Sequence, residues 1–195
     1  MVAEAWRTFV AIPLPAGVAT TLEARLAPHR AAHAQARWSD LADAHLTLVF
    51  LGATPATVVP AVVDAVTRAA AGHVPFRVAL HGAGSFGGRG RPLVAWLGIG
   101  AGAAELTALA ADIRARLMTL PGLAYLAGAG EMRPHLTVAR RAPASLAPLL
   151  RSAFADEGPA WTIDGLVVMR SHLGRDGARH EPLANVPLAA FPPSP

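Results

Sequence analysis

His45-Leu46-Thr47-Leu48-Val49-Phe50-Leu51-Gly52 opens with a histidine and a threonine two residues apart and continues as an apolar run. His135-Leu136-Thr137-Val138-Ala139 repeats that opening later in the chain. Side chains of an extended strand alternate between faces, so His and Thr at i and i+2 share one face and the leucine between them takes the other. Each run therefore reads as a strand that shows an imidazole and a hydroxyl on one side and buries a leucine on the other. Two such strands in one small protein predict a single site with two facing imidazoles.

The elements around the two runs come in the same order. Thr8 to Ile12 reads as a buried strand, and Val18, Leu22 and Leu26 form a helical stripe that should stop before Pro28. After His45 to Leu51, Thr54-Pro55 predicts a helix start, with Val58, Val59, Val62, Val63 and Val66 as its buried face. Phe76 to Leu80 alternates as a half-buried strand, and a glycine-rich loop runs from Gly82 to Pro92. The order then returns: strand Leu93 to Leu97, helix on Leu106, Leu109, Ile113 and Leu117, strand His135 to Ala139, helix on Leu146, Leu149, Leu150 and Phe154. Trp161, Ile163, Val167 and Met169 predict one strand bulged near Gly165, with a last strand near Glu181 to Val186.

This pattern predicts an α+β fold: two pseudo-twofold-related lobes of antiparallel sheet covered by helices, with the active cleft between them. Residues 1–190 form one bilobal domain with a pseudo-repeat at about 1–90 and 91–190, and 191–195 are a loose tail.

Composition narrows the chemistry. The 195 residues are 53% hydrophobic and 15% charged, so the chain can bury a core. Cysteine is absent, which removes disulfides, thiolate metal sites and cysteine nucleophiles. All basic side chains are arginine, which removes Schiff-base chemistry, and the formal charge of +4 suits an anionic ligand without marking a broad nucleic-acid surface. The N-terminus does not read as a signal peptide, and Leu93 to Ala104 is too short to span a membrane, so a cytoplasmic protein with no membrane partner is expected.

A neutral imidazole accepts a proton and an imidazolium donates one near neutral pH, so a pair can divide the two roles. Thr hydroxyls and Arg guanidinium groups donate to phosphate oxygens. No His/Asp/Glu set has metal spacing, so no metal and no cofactor are expected. Two imidazoles with anion donors suit phosphoryl transfer on a strained cyclic phosphate, which needs an acid for the leaving oxygen and a base for the attacking water.

The two motifs, in the contexts His45 to Gly52 and Arg133-Pro134-His135-Leu136-Thr137-Val138-Ala139-Arg140, resemble the two-histidine (2H) phosphoesterase superfamily. Within it the chain is most similar to RNA 2',3'-cyclic phosphodiesterases, also called 2'-5' RNA ligases. Arg7 to Ile12, Trp38 to Leu51, Phe86 to Trp96 and Ser171 to Leu183 extend the resemblance over nearly the whole chain. It implies two α+β lobes around a cleft and hydrolysis of a terminal 2',3'-cyclic phosphate to a 2'-phosphate. It also implies His45 as acid, His135 as base, and Thr47, Thr137 and Arg140 as phosphate binders. In a regular strand Arg140 would face away from Thr137, so this role requires the strand to end or bend. Phe86, Arg133, Ser171 and His180 are candidate RNA contacts, with His180 standing where the family commonly has Tyr. Arg89 and Arg91 lie in the same glycine-rich loop as Phe86. The expected partners are RNA ends or small cyclic nucleotides, with no protein partner and a monomeric chain.

Alternatives on the same site are 2'-5' ligation, cleavage of 2'-5' oligonucleotides, or RNA binding without turnover. A nucleotide-cofactor oxidoreductase would rest on Gly98 to Ala103 alone. That string lacks a following strand ending in an acidic residue, and Gly82 to Gly87 opens no helix, so both read as turns.

Overall fold

The computed structural model describes residues 4–88, 91–128, 130, 132–174 and 177–190. In chain order its elements are β1 (Ala5–Pro13), α1 (Ala16–Ala32), β2 (Arg37–Trp38), β3 (His45–Pro55), α2 (Val59–Ala70), β4 (Phe76–Gly88) and β5 (Arg91–Ile99). There follow α3 (Ala103–Leu117), β6 (His135–Ala142), α4 (Leu146–Ala153), β7 (Ala160–Ile163), β8 (Gly165–Gly174) and β9 (Gly177–Pro187). The fold is the expected α+β class, a curled antiparallel sheet with four α-helices among the described residues.

Among the described residues the strands run β7-β4-β5-β6-β3-β1-β8-β9, with β2 on β6, and every pairing is antiparallel. The order falls into two sets of four, β7-β4-β5-β6 and β9-β8-β1-β3. They meet where the two motif strands touch, at the single pair Leu46 and Leu136. Both leucines are buried in a core shared with Leu22 and Leu26 of α1, Val62 and Val66 of α2, Leu109 and Ile113 of α3, and Leu150 of α4. Period-2 alternation thus places both motifs, leucine inward and His and Thr on the other face. β4, from the first half of the chain, lies in the set that carries β6. β8 and β9, from the second half, lie in the set that carries β3.

Several boundaries differ from the sequence reading. α1 continues through Pro28 to Ala32. Pro28 is exposed and forfeits one backbone bond, while Arg30 in the last turn binds Glu23 Oε2 at 2.8 Å and the Ser39 carbonyl at 2.9 Å. Thr54 does not cap α2. It is buried in β3, where its hydroxyl meets that of Thr8 at 2.6 Å, and α2 begins only at Val59. Gly82 to Gly88 belongs to β4 and forms one arm of a long hairpin. The span from Trp161 to Met169 is two strands, broken at Asp164, that lie near opposite ends of the sheet.

Candidate active site

Both motif strands carry an irregularity just after the threonine. In β6, Trp96 stands opposite Thr137 and Ala95 opposite Ala139, so Val138 is an extra residue. In β3, Ala11 stands opposite Thr47 and Val10 opposite Val49, so Leu48 is extra. These are β-bulges, and each reverses the alternation beyond it. Burial records the same event: Leu48 and Val49 are both buried, as are Val138 and Ala139. The residue three after each threonine therefore returns to the threonine's face. That residue is Arg140 in β6 and Phe50 in β3. A further irregularity follows at Arg141 in β6, whose φ is +51°, and at Leu51 in β3.

The shared face opens into a cavity of about 690 Å³, lined by His45, Thr47, Phe50, His135, Thr137 and Arg140. Its walls add Arg7 and Phe9 from β1, Arg37 and Trp38 from β2, Asp43 before β3, and Ser171 and His180 from β8 and β9. No hydroxyl bond of Thr47 or Thr137, and no ion pair of Arg140, occurs among the described residues.

The two imidazoles are held alike. His45 Nδ1 donates to the carbonyl of Asp43 at 3.0 Å, and His135 Nδ1 donates to the carbonyl of Arg133 at 2.7 Å. A carbonyl only accepts, so Nδ1 carries the proton in each ring and Nε2 is the nitrogen left to exchange protons. An aromatic edge meets each ring as well. His180 lies 4.9 Å from His45 at 90°, and Phe86 lies 4.8 Å from His135 at 83°.

Both histidines are held below the ordinary imidazole pKa, first by burial, which disfavours the charged form. The bonds to Asp43 and Arg133 oppose this, and the charge of Arg140 adds to it at both rings. The charges around the two rings differ, and His180 lowers His45 alone. Asp43 also raises the affinity of His45 for a proton, whereas the second charge acting on His135 is that of Arg133. His180 is likewise lowered by burial, with Asp43 opposing and Arg140 assisting.

A site that holds two desolvated imidazoles in one tautomer, beside two hydroxyls and a guanidinium, is equipped to move protons around a bound anion. The sequence model of the 2'-5' RNA ligase superfamily matches residues 18–175.

This chain belongs to that superfamily.

It is 28% identical over 157 residues to an RNA 2',3'-cyclic phosphodiesterase of Geobacillus stearothermophilus, covering 80% of this chain and 48% of that relative. The chain thus spans about half the length of that relative. It is 33% identical over 153 residues to a relative of the same name in Thermus thermophilus, covering 69% of this chain and 76% of the other. The crystal structure of a Thermus thermophilus protein superposes with a TM-score of 0.73 at 27% identity, over 95% of this chain and 99% of that one.

Of the residues that the superfamily resemblance singles out, His45, Thr47, His135, Thr137, Arg140, Ser171 and His180 all reach the cavity. Ser171 sits opposite Arg7 on β1 and His180 on β9. Phe86 is on β4 instead of in a loop, and it reaches the site through its ring contact with His135. Arg133 serves through its carbonyl, and its guanidinium lies 4.7 Å over the Trp96 ring. Arg89 and the side chain of Arg91 lie outside the described residues. Asp43, Phe50 and Arg37 were not singled out from sequence. For Asp43 the available signal was its place two residues before His45, matching that of Arg133 before His135.

Among the described residues no three His, Asp or Glu side chains gather as a metal site would require. No described helix is long and apolar enough to cross a membrane.

Gly84 stands opposite Trp96 in the β4–β5 hairpin. A Cβ there would lie 2.3 Å from Trp96 Cζ2 and 2.6 Å from Cη2, so only glycine lets the indole cross β4. Trp96 in turn packs 5.3 Å from Phe86 and 6.2 Å from His135. Gly84→Ala is expected to cost about 1–3 kcal/mol by overpacking, a fall of roughly 3–10 °C in Tm. A thermal melt reads this directly, and an unchanged Tm would contradict the packing.

Proposed function

We propose that this chain hydrolyses the terminal 2',3'-cyclic phosphate of RNA to a 2'-phosphate without a metal ion, with His45 as general acid and His135 as general base. The observation that carries the reading is the matched pair of imidazoles, each with Nδ1 tied to the carbonyl two residues earlier, on one cavity with Thr47, Thr137 and Arg140.

In this reading His135 Nε2 takes a proton from water as the water oxygen bonds to phosphorus. The bond from phosphorus to the 3' oxygen breaks, and His45 Nε2–H gives that oxygen its proton. A free 3' hydroxyl and a 2'-phosphate result. Thr47, Thr137 and Arg140 donate to the nonbridging oxygens, where each charge-assisted hydrogen bond is typically worth about 1.5–3 kcal/mol. The carboxylate of Asp43 acts on His45 and is not among the charges acting on His135, whereas His180 and Arg140 act against the proton on His45, so the assignment of acid and base follows the superfamily resemblance. The names of the Geobacillus and Thermus relatives support the substrate.

An oligoribonucleotide ending in 2',3'-cyclic phosphate tests the proposal. The expected product is the 2'-phosphate, formed at the same rate with and without EDTA. A 3'-phosphate product would overturn the direction of ring opening, and loss of turnover in EDTA would overturn the metal-free mechanism.

A further inference from the structure

Phe50 is 46% exposed, although it lies in a strand whose other large apolar side chains are buried. The bulge at Leu48 turns it onto the cavity face, as the bulge at Val138 turns Arg140. The Arg7 guanidinium lies 4.5 Å over its ring, and both side chains line the cavity. Arg7 makes no ion pair among the described residues. The stack is therefore an exposed aromatic surface carrying an unspent positive charge at the wall of a phosphate-handling site.

Its place along β3 selects the occupant. The rings of His180 and Phe86 lie directly against His45 and His135, at the reaction centre of the proposed mechanism. Phe50 stands roughly 7–10 Å further along the strand from Thr47, about one nucleotide of single-stranded RNA beyond the reacting phosphate. A nucleobase stacks on an aromatic or guanidinium plane whatever its identity, and arginine also reaches the adjoining phosphodiester.

We infer that Arg7 and Phe50 form a subsite for the nucleotide 5' of the reacting one, so that the enzyme prefers an RNA end to a cyclic mononucleotide. The base stacks on the Arg7–Phe50 pair, and Arg7 contacts the phosphodiester between the two nucleotides. The inference rests on the proposed hydrolase reading and deepens it.

The test compares kcat/KM for a dinucleotide and a mononucleotide that both end in 2',3'-cyclic phosphate, in wild type, Phe50→Leu and Arg7→Gln. Wild type should favour the dinucleotide, and each variant should lower that ratio at least about 5-fold, the low end for one stacked base. Phe50→Leu keeps apolar volume and removes only the ring. A ratio unchanged in both variants overturns the subsite, as does a wild type with no dinucleotide preference. An equal loss on the two substrates would place Phe50 against the reacting nucleotide and also overturns it. If wild type hydrolyses neither substrate, the hydrolase reading is what has failed. The subsite is then judged by calorimetric binding of a dinucleotide 3'-phosphate against a nucleoside 3'-phosphate. The same fall in ratio supports it, and no fall overturns it.

Discussion

Replacing His45 or His135 with alanine should each lower hydrolysis of an RNA 2',3'-cyclic phosphate at least about 10²-fold, the scale of a lost general acid or base. In the proposed mechanism the imidazoles divide one proton cycle, so the double variant should fall little further than the worse single variant. Both rings project from the face away from the core, and Leu46 and Leu136 anchor their strands independently. The variants are therefore expected to fold, with circular dichroism and Tm as the check. His180 lies edge-on to His45 and could stand in as a proton donor, so His45→Ala is also made beside His180→Phe. Full activity in His135→Ala, or in the His45/His180 double variant, would sink the paired mechanism.

Arg140→Met should lower kcat/KM by about 10–150-fold, the equivalent of one charge-assisted hydrogen bond of roughly 1.5–3 kcal/mol. A second, independent readout accompanies it. The Arg140 charge lowers the pKa of His45, His135 and His180 together. Removing it raises all three folded values. The pH profile of kcat/KM should be bell-shaped, its acid limb set by the base, which must be neutral, and its alkaline limb by the acid, which must be protonated. Both limbs should therefore move to higher pH in Arg140→Met, while Arg140→Lys should keep the wild-type limbs. A fall in rate with neither limb displaced would mean that Arg140 touches the substrate without governing the histidines.

The pair of histidines was legible in the sequence because two residues of spacing on a strand is a geometric statement in itself. Arg140 was not, in the same sense. Its spacing from Thr137 assigns it to the wrong face, and only the extra residue Val138 restores it, a kink that no local composition announces. Phe50 was hidden by the same device at Leu48, since strict alternation would put it on the face opposite Thr47. The walls were harder still, since Arg7, Arg37, Ser171 and His180 are brought together by pairings between distant strands. Gly82 to Gly88 read as a loop because glycine disfavours strands. At Gly84 its lack of a side chain is what admits Trp96. The span Trp161 to Met169 misled for a related reason: its apolar period is continuous, but Asp164 separates strands that go to opposite sets.

The placement of β4, β8 and β9 has a consequence for how such a molecule can be divided. A chain cut near its middle would leave β4 without the β5 neighbour it joins, and β1 without β8. Each fragment would carry one motif and an open sheet edge, a template for whatever strand next comes within reach. A protein of half this length could cover that edge by lending its last strand to an identical copy and borrowing one back. The product would be a domain-swapped dimer with its single site on the symmetry axis. In the continuous chain the crossing strands belong to one molecule, so both motif histidines are delivered together, in equal number, in every molecule that folds.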